Sequence, residues 1–363
     1  MSGKTAADRS AYARAGVDVA AGDRAVELMR ASVASTMRPE ILGGLGGFGS
    51  AFTIPAGYRE PVIVSSTDGV GTKTAIAAAM GRLDTIGIDL VAMCADDVAC
   101  TGAEPVAFLD YIAIGRLDPE RVASLVAGIA EGCRQAGCAL TGGETAEHPG
   151  LMEPDEFDLA GFAMGVGERS RLLDGSAAQA GDAIIGLASS GLHANGYSLV
   201  RRIIADHGLR LDAPFEGGAL VGGTLGDELL TPTRIYALDL LAIRASLGAE
   251  GFEVRGMAHI TGGGMPGNAP RALPSHLAAV VDPASWPMPA VMRYLGEIAG
   301  IGDVELRATF NGGLGMTVVV PAEAAARTVE LAKARGVPAW IVGRVVASAS
   351  IGGLRYLEEG SAS

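Results

Sequence analysis

Clusters of glycine set the strongest constraint on how this chain can fold. The 363 residues include 53 glycines, and many of them fall in short runs. The main runs are GGLGGFG at 43–49, DGVGTK at 68–73, GGE at 142–144, GGG at 262–264 and NGGLG at 311–315. Glycine lets the backbone pass close to another group, so such runs predict places where the chain approaches a ligand. Hairpins and helix caps are the alternative explanation for many of the glycines.

Apolar, β-rich runs lie between the glycine runs and indicate strands, as at 61–67 and 182–190. Helical periodicity follows at 119–136 and 321–335. This mixture predicts an α/β or α+β fold.

The length favours two domains, and each half of the chain repeats a strand, a loop of small residues and a helix. We place a first domain at 1–170 and a second at 171–347, with the junction near 167–176. The polar, Gly/Ser-rich end at 348–363 is predicted to be a loose tail.

Composition excludes several classes of protein. Hydrophobic residues make up 49% and charged residues 19%, and no apolar run approaches the roughly 20 residues that span a bilayer. The net charge of −13 argues against a nucleic-acid partner. The first ten residues lack the apolar segment of a secretory signal, which predicts a cytoplasmic protein. The cysteines form no CxxC pair, so reduced, buried thiols are favoured over a zinc or redox site.

The DGVGTK run places an acid and two glycines between a predicted strand and a predicted helix. This is the layout of a phosphate or metal site at a strand end, and an ordinary strand-to-helix turn is the alternative. The run is not a Walker A loop, because Thr72 separates Gly71 from Lys73.

Three carboxylates stand beside small residues and glycines. Asp96 and Asp97 are adjacent in an apolar stretch, where acids are costly to bury without a cation. Glu144 follows two glycines. Carboxylates of this kind suit Mg²⁺ held between protein oxygens and nucleotide phosphates, and solvent exposure or helix capping is the alternative.

Two further segments carry polar groups in loops of small residues. SSGLHANGYSLVRR presents His193 and Asn195 before a predicted helix, where the histidine is either a catalytic group or a packed side chain. The run at 262–264, followed by Gly267 and Asn268, is typical of an anion-binding nest or of a glycine-rich turn.

Ten segments, in order and spacing, resemble the aminoimidazole ribonucleotide synthetases. They are YARAGVDVAAGDRAV, GGLGGFG, SSTDGVGTKTAIA, DLVAMCADDVACTGAEPVAFLDY, GCALTGGETAEHPG, DLAGFAMGVGER, SSGLHANGYSLVR, LLTPTRIY, HITGGGMPGN and TFNGGLGM. The resemblance covers the chain from about residue 12 to about residue 345. It implies a two-domain α/β (α+β) fold, in which an N-terminal mixed-sheet domain forms the core of a homodimer and a second α/β domain follows.

The resemblance also implies an ATP- and Mg²⁺-dependent site. Matching positions make Asp68, Asp97 and Glu144 the metal ligands, and give catalytic roles to Lys73, His193 and Asn195. The nucleotide-binding residues implied are Asp68, Gly69, Gly71, Thr72, Lys73, Gly142, Gly143, Thr145, Gly262, Gly263, Gly264 and Asn268.

Three positions depart from the family pattern. Asp96 stands where the family usually has Asn, Leu192 where it often has Pro, and Gly312 where it has Met. Because Asp96 is also an acid, the sequence leaves open which of the two adjacent carboxylates contacts the metal.

The similar enzymes convert formylglycinamidine ribonucleotide and ATP into aminoimidazole ribonucleotide, ADP and phosphate, with an iminophosphate as the expected intermediate. The same superfamily holds small-molecule kinases such as selenophosphate synthetase and thiamine monophosphate kinase. A selenide kinase is expected to carry a reactive cysteine near its N-terminus, whereas the first cysteine here is Cys94. A nucleotide-binding regulatory protein without catalysis is the rival from another class.

Overall fold

The structure is a computed structural model that describes residues 18–44, 46–218 and 222–360. The predictions that concern residues 1–17 and 361–363 lie outside the described residues. Within the described part of the chain, no helix is long and apolar enough to cross a membrane.

The first half of the chain is built on a four-stranded mixed sheet. Its helices are α1 (Val19–Ala34), α2 (Lys73–Met80), α3 (Ile86–Cys100) and α4 (Pro119–Ala136). Its strands are β1 (Ile41–Leu42), β2 (Ala51–Phe52), β3 (Pro61–Gly69), β4 (Glu104–Ile114), β5 (Ala139–Glu147) and β6 (Phe157–Glu168). The sheet order is β3-β6-β4-β5, with β4 and β5 parallel and the other neighbours antiparallel; β1 and β2 pair separately.

Local sequence explains why α4 forms where it does. Asp118 caps its start by accepting hydrogen bonds from the backbone N–H of Glu120 and Arg121, and Pro119 occupies its first turn. The helix ends at Gly137, which has a φ of 73°. The neighbouring helix α3 is almost entirely apolar and almost entirely buried, so it forms the centre of the core between the sheet and α4.

The second half contains a six-stranded sheet with order β12-β9-β11-β7-β10-β8. Its strands are β7 (Ala183–Ala188), β8 (Gly256–His259), β9 (Leu277–Val281), β10 (Leu314–Val320), β11 (Ala339–Ala347) and β12 (Tyr356–Glu358). Its helices are α5 (Tyr197–His207), α6 (Leu225–Leu229), α7 (Ala237–Ala249), α8 (Gly264–Asn268), α9 (Ala290–Ala299), α10 (Asp303–Thr309) and α11 (Ala325–Ala334). Only the β9–β12 pair is parallel among the described strands of this sheet.

The predicted loose tail is wrong for residues 348–360. Ser348–Ile351 forms a 3₁₀ turn, and β12 then adds an edge strand to the six-stranded sheet. The guanidinium of Arg307 holds this strand through bonds of 3.0 and 2.7 Å to the buried Glu358 carboxylate. The segment is polar in composition, which is typical of a loose tail. It forms regular structure because its hydrogen bonds are made to partners distant in sequence, which composition does not reveal.

Helix α3 joins the two halves. It packs against β3 and β6 on one side and against β8 and α7 on the other, and one continuous apolar core runs through both halves. The predicted domain boundary at 170/171 falls between β6, the last strand of the first sheet, and β7, the first strand of the second.

Candidate active site in the cleft between the two sheets

Two carboxylates and a histidine converge where the two halves meet. Asp68 lies near the end of β3, Asp97 in the last turn of α3, and His259 at the end of β8. His259 Nδ1 is 3.0 Å from Asp97 Oδ1. Burial, together with the nearby charge of Asp97, raises the pKa of Asp68 above its usual value, while a bond from the Gly69 N–H and the nearby His259 act in the opposite direction. The arrangement concentrates negative charge at the cleft.

The structure separates the roles of the two adjacent acids in α3. Asp96 is fully buried, and its Oδ1 accepts a bond of 2.8 Å from the N–H of Tyr236 at the start of α7. Burial raises the pKa of Asp96 to about 7. Asp97 points the other way, with 41% of its side chain exposed. Asp97 is therefore the acid that faces the cleft, and Asp96 is a helix cap.

The glycine run at 262–264 forms one wall of this cleft. Gly263 and Gly264 have φ values of 86° and 57°, and a Cβ on Gly264 would lie 1.8 Å from the carbonyl oxygen of Arg307, so only glycine fits there. Asn268 Nδ2 donates to the carbonyl oxygens of Gly262 and Gly264 at 3.1 and 2.9 Å. The side chain of Asn268 thus holds the loop in shape, and Asn268 also lines a pocket together with Asp97 and His259.

Two other predicted residues reach the same cleft. Asn195 faces the glycine run, because its Oδ1 lies 3.6 Å from the position that a Cβ on Gly262 would take. Thr72, just before α2, places its Oγ1 at 3.3 Å from the Ser198 hydroxyl in α5. The loop containing Asp68, Gly69, Gly71 and Thr72 therefore contacts the second half of the chain directly.

Lys73 does not occupy the predicted phosphate-facing position. Its side chain is 0% exposed. Its ammonium donates to Asp89 Oδ1 at 2.9 Å, to the carbonyl oxygen of His193 at 3.0 Å and to that of Thr231 at 2.7 Å. An ammonium has three protons to donate, and these three bonds use all of them. In this structure Lys73 ties parts of the protein together instead of meeting a ligand.

His193 is likewise an interior residue. It is 1% exposed, and its backbone has a φ of 65°, which is rare for a residue other than glycine. Its Nε2 accepts a bond of 3.1 Å from the Ser190 N–H. Burial lowers the pKa of the ring well below its usual value, which favours the neutral form, and the buried Nδ1 has no hydrogen-bond partner among the described residues. The ring packs against Gly315 and Tyr236.

Glu144 lies away from Asp68 and Asp97. Strands β6 and β4 separate β3 from β5, so a ligand at Asp68 is roughly 14 Å from Glu144 across the sheet. Among the described residues, no group of three His, Cys, Asp or Glu side chains could hold a metal ion. The predicted set of three metal ligands is therefore not assembled within this chain, because sequence order does not reveal strand order.

Glu144 instead lines a cavity of about 900 Å³, as do the predicted residues Gly142, Gly143 and Thr145. The cavity lies between α1, residues 44 and 46–50, and the outer face of the four-stranded sheet. Its apolar walls include Met29, Leu109, Phe162 and Met164.

Strand pairing links this cavity to the cleft. Asp68 pairs with Gly161 of β6, Gly161 with Asp110 of β4, and Asp110 with Gly143 of β5. The Asp110 carboxylate lies so close to Gly143 that a Cβ there would be 1.5 Å from Oδ1. Burial raises the pKa of Asp110 to about 7. One row of residues across the sheet therefore runs from the cleft to the cavity.

Sequence reasoning missed Asp110 and His259. Asp110 lies in an ordinary-looking strand, and only the β4–β5 register places it beside Gly143. His259 lies three residues before the glycine run at 262–264. Its position against Asp97 depends on the packing of β8 on α3, which the sequence does not show.

Two family models match the chain. AIR synthase related protein, N-terminal domain, matches residues 55–167, and AIR synthase related protein, C-terminal domain, matches residues 179–354.

Curated relatives are similar over nearly the whole chain. The phosphoribosylformylglycinamidine cyclo-ligase of Geobacillus kaustophilus (strain HTA426) is 52% identical over 343 residues, which are 94% of this chain and 97% of the relative. The cyclo-ligase of Anaeromyxobacter sp. (strain Fw109-5) is 53% identical over 336 residues, covering 92% of this chain and 95% of the relative.

Solved structures of more distant proteins share the fold. Thiamine-monophosphate kinase from Stenotrophomonas maltophilia K279a matches with a TM-score of 0.64 at 22% identity, covering 94% of this chain and 97% of that one. Hydrogenase maturation protein HypE in complex with ATP matches with a TM-score of 0.64 at 17% identity, covering 93% and 91%. The predicted two-domain α/β architecture is confirmed, and the chain belongs to the AIR synthase family, among the phosphoribosylformylglycinamidine cyclo-ligases.

Proposed function

We propose that this chain closes the imidazole ring of formylglycinamidine ribonucleotide, using ATP and releasing aminoimidazole ribonucleotide, ADP and phosphate. The observation that carries the proposal is the 52% identity over 94% of the chain to a relative named phosphoribosylformylglycinamidine cyclo-ligase. The geometry supports it, because Asp68 and Asp97 lie close together beside His259, and Asn195 lies against the glycine run at 262–264.

The cleft fits a magnesium–nucleotide complex. Mg²⁺ is commonly held by one or two carboxylates together with substrate phosphates, and Asp68 and Asp97 provide such a pair. His259 contacts Asp97 Oδ1. Among the described residues no group forms a hydrogen bond with Asp97 Oδ2, so this oxygen is available to a cation. Mg²⁺ bound there would offset the phosphate charge during phosphoryl transfer.

We propose that the base of the nucleotide lies in the large cavity. The apolar surfaces of Met29, Leu109 and Phe162 suit a purine base, and the glycines at 44, 46, 47 and 49 bring backbone close to it. The phosphates would then extend toward Asp68 and Asp97. In this arrangement Glu144 contacts the nucleotide from the cavity side instead of joining the other two carboxylates.

The chemistry requires activation of a poor electrophile. Transfer of the γ-phosphoryl group to the formyl oxygen forms an O–P bond and breaks the bond to ADP. The amidine nitrogen then attacks the activated carbon, phosphate leaves, and the attacking nitrogen loses a proton. The chain's own contribution is to position the two reacting groups, with Asn195 lying against the glycine run at 262–264 and its amide Nδ2 at 3.5 Å from Met93 Sδ.

The direct test is to incubate the protein with formylglycinamidine ribonucleotide and Mg-ATP and to measure aminoimidazole ribonucleotide and ADP. We expect the two products in equal amounts, and no ADP without the ribonucleotide. Thiamine monophosphate is the control substrate, because a kinase shares this fold. Phosphorylation of thiamine monophosphate, with no ring closure, would contradict the proposal.

We also propose a cytoplasmic homodimer formed through the outer face of the four-stranded sheet. Ile63 and Phe162 on this face are 55% and 43% exposed. Exposure of large apolar side chains to water is unfavourable, and packing against the sheet of a second copy would bury them. Sedimentation should give twice the mass of the 36.7 kDa chain. Replacing Ile63, which does not line the cavity, with Glu should shift the protein toward monomer, and a wild-type protein that stays monomeric at micromolar concentration would contradict the assignment.

A further inference from the structure

A buried ion pair joins the two halves of the chain beneath the cleft. Lys73 is the first residue of α2 and Asp89 lies in the first turn of α3, and both side chains are 0% exposed. Asp89 Oδ1 also accepts from the N–H and the hydroxyl of Thr233, at 2.8 and 2.5 Å. Together with the bonds from Lys73 to His193 and Thr231, these contacts define what we call the Lys73–Asp89 clasp.

Every bond of the clasp, apart from the ion pair itself, crosses between the halves. Lys73 and Asp89 belong to the part of the chain that forms the four-stranded sheet. Their other partners lie in the loop at 189–196 and in the segment at 231–233, which belong to the part that forms the six-stranded sheet. Lys73 also directly follows the loop of Asp68 and Thr72, so the clasp links both loops of the cleft.

Stability alone does not account for such a pair. Taking two charges out of water is costly, and replacing a buried ion pair with apolar residues of similar volume is often neutral or stabilising. The pair does, however, fix the position of the Lys73 ammonium relative to its neighbours, because each ammonium proton is donated to a separate acceptor. One acceptor is the carbonyl of His193, a residue whose positive φ persists only where its surroundings hold it.

We propose that Lys73 and Asp89 are positioning residues that set the loop at 189–196 against the loop at 68–72. Through His193 they fix Asn195 opposite the glycine run at 262–264, and so keep the cleft in its working geometry. The effect on turnover rests on the proposed function, whereas the effect on the loop itself does not.

The first experiment replaces both charges at once, with Lys73→Met and Asp89→Leu. Each single change leaves the other charge buried and unpaired, so we expect a large loss of melting temperature in both single variants and recovery in the double variant. In the double variant the loop has lost its bond to Lys73, while the bonds from the Ser190 hydroxyl to the Pro232 carbonyl and from the Asn311 amide to the Gly191 carbonyl remain. Amide hydrogen exchange, measured without ligand, should speed up by about tenfold or more at 189–196 and stay unchanged in β10 and β11. The kcat for ring closure should fall by at least about tenfold.

A milder pair of variants keeps the test sound if the double variant does not fold. Thr233→Val removes one hydroxyl from the clasp. The control variant, Thr328→Val, removes an equally buried hydroxyl that donates to the Ala324 carbonyl one helical turn earlier. Thr233→Val should raise exchange at 189–196 and lower kcat, and Thr328→Val should do neither.

Wild-type exchange at 189–196 in a folded double variant, or in Thr233→Val, would overturn the clasp. If no variant and no wild-type protein closes the ring, the proposed function fails, and the exchange data still decide whether the clasp holds the loop.

Discussion

Asp96 and Asp97 are neighbours in the sequence but have different environments in the structure. Asp96 caps α7 from a fully buried position, while Asp97 faces the cleft beside Asp68 and His259. Successive residues of a helix point about 100° apart, so one acid can face inward while the next faces a ligand. The sequence could not choose between them, because both lie in the same apolar stretch.

We predict that Asp97→Asn weakens binding of the divalent cation and that Asp96→Asn does not. Removing a carboxylate from the Asp68–Asp97 pair should lower turnover by about two orders of magnitude. It should also weaken Mn²⁺ binding measured by electron paramagnetic resonance in the presence of ATP. Asn at 96 keeps the acceptor for the Tyr236 N–H, so its Mn²⁺ affinity should match the wild type. Equal cation affinity in Asp97→Asn and wild type would contradict the assignment.

His193→Ala should lower stability and turnover together. The ring is buried and accepts the Ser190 N–H, so its loss leaves a cavity and a backbone donor without its partner. We expect a melting temperature lower by a few degrees, with a reduced kcat that follows from the disturbed loop. A direct catalytic role, as the sequence suggests, would instead give a kcat lower by roughly 10²–10⁴ at an unchanged melting temperature. Thermal melts and kinetics on the same preparation separate the two.

At the scale of elements, strand register decides which polar groups meet. The row Asp68, Gly161, Asp110 and Gly143 exists because β6 lies between β3 and β4, and because β4 and β5 are parallel. The sequence predicted strands and the glycines that follow them. It could not predict the order of the strands, because pairing joins residues that are far apart in the chain.

The Asp110 carboxyl should make the fold less stable as the pH rises. Its pKa is raised to about 7 in the folded protein, against about 3.9 in the unfolded chain, so the folded state holds a proton that the unfolded state has lost. The protonated carboxyl therefore adds to the free energy of unfolding. This contribution is complete below about pH 4 and is lost as the pH rises through 7. The loss is at most about 4 kcal/mol.

Asp110→Asn removes this titration while keeping the shape of the side chain. Melting temperatures measured from pH 5 to pH 8 should fall less in the variant than in the wild type. If the two profiles are parallel, Asp110 ionises normally in the folded protein and the prediction is wrong.

At the scale of the whole molecule, the cleft and the large cavity lie at opposite edges of the four-stranded sheet. The cleft holds Asp68 and Asp97, and the cavity of about 900 Å³ holds Glu144. We predict that Glu144→Gln raises the KM for ATP while leaving the dependence of the rate on Mg²⁺ unchanged. Steady-state kinetics at varied ATP and varied Mg²⁺ test this, with Asp97→Asn as the contrasting variant. A changed Mg²⁺ dependence in Glu144→Gln would return Glu144 to the metal site.

The sequence by itself determined the α/β class and the family, and it singled out the glycine-rich loops, one of which, at 142–145, lies apart from the cleft. Those features depend on local signals, such as apolar periodicity, glycine runs and motif order, which the chain carries within short windows. Only the tertiary structure decided that Lys73 and His193 are buried supports, that Glu144 stands apart from Asp68 and Asp97, and that residues 356–358 form an edge strand. The physical reason is that burial, charge pairing and strand order depend on contacts between residues distant in sequence, and no local pattern records them.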